Sequence, residues 1–271
     1  MKIFAIRDET DPSQKDLAYL LYYETPKRFY IELPENADPW ETPLLLASFA
    51  KDGVKSVNSY WSRLWVQQRI VPSDRQNLGQ VLKDNKLKTY DEYELLMLAM
   101  GRCAQDDYYL VPITENDLPR KVVKRFERRI EDVVPVSDYT LLVFFRDGTV
   151  RRIDLAEYFS SRPRFQILLQ HPELFGHVQI QTAGYGIQWD DNLVISDHEL
   201  YSIGKRISLS MDDFKSFVEE RVVNASEAAE LLNCSRQYIS ELVKSGKLHP
   251  IKASEKNTLF LKSEILQRGW Q

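Results

Sequence analysis

The chain has 271 residues, of which 43% are hydrophobic and 28% charged, with a formal net charge of −4 at pH 7. That length fits two or three domains, and the composition is that of a soluble globular protein rather than a disordered or fibrous one. A negative balance excludes a protein that coats nucleic acid with its whole surface, so any contact with a polyanion has to be local.

The longest apolar runs, Leu17 to Tyr23 and Leu44 to Ala50, fall well short of the roughly 18 residues of a membrane span. Met1-Lys2-Ile3-Phe4 is followed by the charged Arg7-Asp8-Glu9 instead of the apolar run and small-residue cleavage site of a signal peptide. A cytoplasmic protein without membrane contact is expected. Cys103 and Cys234, the two cysteines, stand far apart without metal-ligand spacing. Both are expected as reduced, buried thiols, with no disulfide, metal or cofactor.

The elements predict an α+β multidomain protein. Residues 1–117 form an N-terminal α+β domain of unknown role, opening with strands over Lys2 to Ile6, Leu17 to Glu24 and Arg28 to Leu33, rich in Tyr, Phe, Ile and Leu. Ser59 to Ile70 then places Trp61, Leu64 and Trp65 at helical spacing, with both tryptophans expected in the core. Asp74 can cap a helix to about Asp84 and Asp91 another through Met100. Leu118 to Arg129, with six Lys or Arg against Glu127, is a connecting element or a short basic helix.

Residues 128–208 change to short strands, giving a small, mainly antiparallel β/α domain. Tyr139 to Phe145 and Thr149 to Ile153 flank Asp147-Gly148, a strong local hairpin signal. Val178 to Gln181, Ile187 to Trp189 and Leu193 to Ile195 make a second group, after a short helix over Arg164 to Leu169. Trp189 and Tyr201 are expected as packing aromatics. His171, His177 and His198 match no ligand motif and are expected as surface residues.

Met211 to Val222 reads as a helix, with Ser210 or Asp212 near its start, leading into a module at 221–271. Ser226 can cap a first helix whose Ala228, Ala229 and Leu232 let a second cross closely. Asn233-Cys234 makes the turn. Ser235 caps the second helix, in which Ile239, Leu242 and Val243 form the buried face. Its polar face holds Gln237, Ser240 or Glu241, and Lys244, with Arg236 in the first turn. Arg236 suits guanine and Gln237 adenine, because each can make two hydrogen bonds to one base edge in the major groove. Gly246 ends the helix. Lys247 to Ile251 and Thr258 to Leu261 are read as a hairpin, and Ser263 as the cap of a last helix. Between Ser235 and Lys262 six Lys or Arg stand against two acids, a phosphate-binding balance.

Three resemblances add to this. Glu227-Ala228-Ala229, Ser235-Arg236-Gln237-Tyr238-Ile239, Ser245-Gly246-Lys247-Leu248 and Leu261-Lys262-Ser263-Glu264-Ile265 are similar to the excisionase and MerR-type winged helix-turn-helix domains. That resemblance implies Ser235, Arg236, Gln237, Tyr238 and Lys244 at the major groove and Lys252, Lys256 and Lys262 near phosphates; Ser240 and Lys247 complete the expected DNA-binding set. The acid in Ser254-Glu255-Lys256-Asn257 makes this wing tip milder than those of its relatives. Leu141 to Thr149, Ile153-Asp154-Leu155, His171-Pro172-Glu173-Leu174-Phe175, Ile187-Gln188-Trp189 and Asp197 to Tyr201 resemble a bacterial domain of unknown function, family 2442. Membership implies a regulatory or antitoxin-like setting and no established catalytic residues. Gln68 to Asn77, Gly101-Arg102 and Asp106 to Tyr109 resemble segments preceding HipA-like kinase domains, which would imply docking or scaffolding. The same polar run reads equally as a loop and helix cap.

The expected function is a bacterial or phage-type transcriptional regulator or antitoxin-like factor. Its partners would be double-stranded DNA and either a toxin-like protein or a second copy. A protein scaffold without DNA binding, or an enzyme with an unrecognised carboxylate site, are the alternatives. No phosphate loop, Gly-x-Ser-x-Gly or His-Glu-x-x-His occurs, so no catalytic residue is named.

Overall fold

The computed structural model describes residues 1–136, 139–254 and 257–267. They fall into two compact units, Met1–Lys124 and Arg125–Gln271.

In the first unit β1 (Lys2–Asp8), β2 (Ala18–Tyr23) and β3 (Arg28–Glu32) are followed by α1 (Leu44–Lys51), β4 (Ser56–Val57), α2 (Ser59–Gln67), α3 (Leu78–Asp84), α4 (Glu92–Leu98) and β5 (Tyr108–Ile113). The strands form one antiparallel sheet in the order β4-β3-β2-β1-β5. The opening meander lies where the sequence predicts it. β5 does not follow from local pattern, because it pairs with β1 across most of the unit, Ile3 to Ile113 through Asp8 to Tyr108. It is an edge strand, where Pro112 without an N–H is tolerated.

Asp91 caps α4, its carboxylate accepting from the Tyr93 and Glu94 amides. Asp74 does not cap α3, which begins at Leu78; residues 72–77 form turns instead, with the Leu78 amide donating to the Arg75 carbonyl. Of the two tryptophans only Trp65 is buried. Trp61 is 37% exposed and packs edge-on against Phe49 and Tyr60, correcting the expectation of a core residue.

α5 (Arg120–Phe126) lies at the division between the units. Its exposed Arg120, Lys121 and Lys124 fit a basic helix, but Arg129 just beyond is 2% exposed, with Nη1 2.5 Å from Asp197 Oδ2 and its guanidinium 3.6 Å over the Tyr185 ring.

The second unit continues through β6 (Ile130–Pro135), β7 (Thr140–Phe145), β8 (Val150–Asp154), α6 (Ala156–Ser160), α7 (Gln166–Gln170), α8 (Pro172–Phe175), β9 (Gln179–Ile180), β10 (Gly186–Gln188), β11 (Val194–Ser196), α9 (Asp197–Ile203) and β12 (Lys205–Ile207). Two antiparallel sheets result, β12-β8-β7-β6 and β11-β10-β9. Asp147-Gly148 forms the β7–β8 turn, Gly148 taking φ +77° and Asp147 accepting from the Thr149 amide and hydroxyl.

Strand alternation sends Leu141, Val143, Phe145 and Ile153 to one face, where α6 to α9 and the small sheet close a core around Phe159, Phe165 and Phe175. Trp189 packs there and its indole donates to the Phe175 carbonyl at 2.9 Å. Leu142 and Phe144 point to the other face. Cys103 and Cys234 are free and half-buried rather than buried. Among the described residues no helix is long and apolar enough to cross a membrane.

Candidate nucleic-acid interface

α10 (Met211–Arg221) connects the middle sheets to the C-terminal module. Ser210 and Asp213 cap its start reciprocally, the Ser210 hydroxyl accepting from the Asp213 amide and the Asp213 carboxylate from the Ser210 amide. Asp213, Phe217 and Arg221, four residues apart, turn towards the outer face of the four-stranded sheet. Asp213 meets Arg152 on β8, Phe217 lies 5.1 Å from Phe144 on β7, and Arg221 reaches β6. There Arg221 Nε is 2.8 Å from Asp132 Oδ1 and Nη2 donates to the Val133 carbonyl. α10 is therefore a strut fixed at both ends.

Burial pushes the Asp132 carboxyl up from its ordinary range, while Arg221, the Ser263 hydroxyl, the Val133 amide and the charge of Lys262 oppose that. Ser263 and Lys262 both belong to the last helix, Lys262–Gln267, so one buried carboxylate on the sheet meets both the connecting helix and the module.

The module itself begins with β13 (Val222–Asn224), then α11 (Ala225–Leu231), α12 (Arg236–Lys244), β14 (Lys252–Ala253), β15 (Thr258–Leu261) and α13 (Lys262–Gln267). Asn224, not Ser226, caps α11: its side chain accepts from the Ser226 and Glu227 amides, and Glu227 reaches back to the Asn224 amide. Asn233, at φ +49°, turns the chain between the helices. The Ser235 hydroxyl accepts from the Tyr238 amide as the cap of α12. At the far end Gly246, at φ +67°, donates to Val243 and Lys247 donates to Leu242, closing the last carbonyls. Ala228, Ala229, Ile239, Leu242, Leu248, Phe260 and Ile265 make the core, small residues on α11 admitting the larger ones of α12.

The wing differs from the expected hairpin. Lys247 to Ile251 is not a strand, because Leu248 is drawn into the core, the His249 amide donates to Glu264, and Pro250 has no N–H to give. Its first strand is the two-residue β14, which pairs with β15; β13 pairs with the other side of β15. The strand preceding α11 thus completes a three-stranded sheet; its first residue, Val222, belongs to a strand and not, as the sequence predicts, to the end of the preceding helix. The last helix starts at Lys262, and Ser263 lies inside it, buried.

At 100° per residue, Arg236, Ser240, Lys244 and Gln237 fall within one quadrant or so of α12, opposite Ile239 and Leu242. All four are exposed, as is Lys247 just beyond; Tyr238, 48% exposed, falls at the same spacing outside that quadrant, on the side of Leu242. Glu241 shares the polar face. The Ser240 hydroxyl donates to the Arg236 carbonyl at 3.2 Å and so is engaged within the helix. Lys252 is exposed on the outer strand of the wing. Lys262 is half-buried, and its charge acts on Asp132. Lys256 lies outside the described residues. The residues that sequence reasoning missed are Asp132 and Arg221, whose partnership spans 89 positions and leaves no local signal.

No curated protein matches the chain. Among solved structures, a candidate DNA-binding protein of Nitrosomonas europaea is similar at 22% identity over 45% of this chain and 79% of its own, with a TM-score of 0.26. Residues 130–206 match the family described as "Protein of unknown function (DUF2442)". The HipA-associated resemblance of the N-terminal residues has no counterpart among these matches. Residues 222–268 match the family described as "Helix-turn-helix domain", the segment in which α11, the Asn233 turn and α12 have just been traced.

Proposed function

We propose that the chain is a DNA-binding regulator, acting in transcription or as an antitoxin-like factor, that presents the N-terminal half of α12 to the major groove. The observation that carries this reading is the exposed quadrant of Arg236, Gln237, Ser240 and Lys244 on a helix capped at both ends and held by α11. Side chains in the first turns of such a helix reach base edges, while Lys244, Lys247 and Lys252 are supplied for phosphates. The function proposed is binding rather than catalysis, in the cytoplasm.

A second copy belongs to the reading. A single module of roughly 600–1,000 Å² of interface seldom binds tightly alone, and Met211, Phe214 and Val218 stand exposed along one side of α10, immediately before the module. Light scattering of the full chain is expected to give a dimer mass.

The direct test is fluorescence anisotropy of the full chain with a mixed-sequence duplex across a salt series. The expected result is binding whose logarithm falls linearly with log salt. Absence of salt-sensitive binding to any duplex would overturn the proposal.

A further inference from the structure

A second concentration of positive charge lies at the edge of the four-stranded sheet away from β6. β8 carries Arg151 and Arg152, and the edge strand β12 carries Lys205 and Arg206; the register sets Arg152 opposite Lys205 and Arg151 opposite Arg206. Like charges facing one another across antiparallel strands are destabilising, so sheet formation alone does not account for them. Asp213 meets Arg152. The Arg151 guanidinium lies 3.8 Å over the Tyr201 ring, its Nη1 donates to the Gly204 carbonyl at 2.8 Å, its Nε is buried without an acceptor, and its charge acts on the Asp147 carboxylate.

Arg128 stands over the same ring at 5.1 Å. The Tyr201 hydroxyl donates to Asp147, the residue next to the exposed Arg146, at 2.9 Å. Arg128 and Arg151 therefore stack on Tyr201, with the exposed Arg146 next to its partner Asp147 in the chain and the exposed Arg206 opposite Arg151 across the strands. Asp147 is the acid among them, and its oxygens are already taken by Thr149 and Tyr201.

We propose that this edge binds the phosphodiester backbone of the same duplex that α12 reads, at phosphates flanking the recognised bases. The inference rests on the reading of α12 as a DNA-contacting helix. Arginine supplies forked donors that match phosphate oxygens, and the Tyr201 ring holds two guanidinium groups in place by cation–π contact. α10, about 16 Å long for its 11 residues, fixes the edge relative to the helix-turn-helix, because it is tied to β8 at one end and β6 at the other. That span is less than the roughly 34 Å of one duplex turn, and a rigid link makes the second contact intramolecular.

The test compares wild type with the double variant Arg146→Ala, Arg206→Ala, both as full chains, by anisotropy over a salt series. One duplex is long and one is trimmed to the footprint of the helix-turn-helix. On the long duplex the variant's slope of log affinity against log salt should be shallower by about 2, near 0.9 per lost phosphate contact; on the trimmed duplex the two proteins should coincide. Both side chains are exposed, so the melting temperature should hold, and the pair Arg146→Lys, Arg206→Lys should keep the wild-type slope. Equal slopes for wild type and the alanine variant on the long duplex would overturn this inference and leave the reading of α12 intact. Binding of an acidic peptide at this edge with unchanged DNA slopes would overturn it in favour of a protein partner. Failure of wild type to bind any duplex would overturn both.

Discussion

Replacing Arg221 by Met removes the cation that joins the middle sheet to the helix-turn-helix. Arg221 Nε stands 2.8 Å from Asp132 Oδ1, with side-chain exposures of 7% and 5%. Methionine keeps most of the apolar stem, so packing against β6 largely survives. What disappears is the counter-charge of a carboxylate that stays buried. Breaking such a pair costs about 3–5 kcal/mol, equivalent to a fall in Tm of roughly 6–20 °C for a unit of this size. Burial already raises the Asp132 pKa, with Arg221 the chief opposing influence, so the substitution raises it further. A carboxyl whose folded pKa is raised contributes stability that is present in acid and lost as pH rises through that folded pKa. The variant's deficit should therefore be small near the ordinary carboxylate pKa of about 4 and grow towards neutrality. Scanning calorimetry of wild type and variant at several pH values measures this, and adding Asp132→Asn should recover most of the loss. A variant melting within about one degree of wild type near neutrality, or a deficit that shrinks as pH rises, would refute the reasoning.

Three further outcomes follow from named contacts. Asn224→Ala removes the side-chain acceptor of the Ser226 and Glu227 amides at the start of α11, leaving the bond from the residue 224 amide to Glu227, and should destabilise the module by about 1 kcal/mol, read as faster amide exchange in α11. Phe260→Ala empties the centre of the module's core, where Phe260 is 1% exposed; a loss of about 3–5 kcal/mol should abolish DNA binding while the sheets of the middle domain stay protected from exchange. The Asp213 carboxyl is held below its usual range, first by the Ser210 amide, against burial, then by the Ser210 hydroxyl and Arg152. Its contribution is present at neutral pH and lost as pH falls through the depressed folded pKa, so Asp213→Asn should lower the melting temperature near neutrality and matter progressively less in acid.

Much of this architecture is legible in local sequence. The β7–β8 hairpin follows from Asp147-Gly148, α4 from Asp91, and α12 from Ser235, the apolar spacing of Ile239 and Leu242, and Gly246. The features that escape such reading depend on distance along the chain. β5 pairs with β1 from the other end of its unit, and β13 becomes a strand only because β15 returns to it. Asn224 and Ser226 are equally good caps by residue type; the strand of β13 ends at Asn224 and decides between them. Within the candidate interface, the polar quadrant of α12 could be read from spacing, whereas the placement of Lys262 near Asp132 required the fold.

Selection of bound sequences from a random duplex pool, with wild type and with Arg236→Ala and Gln237→Ala, tests the central claim most directly. Wild type should enrich a defined motif, and each variant should relax one or two of its positions while losing about 1–3 kcal/mol on the preferred site. An unenriched wild-type pool, or variants that select the same motif with wild-type affinity, would contradict α12 as the reading helix.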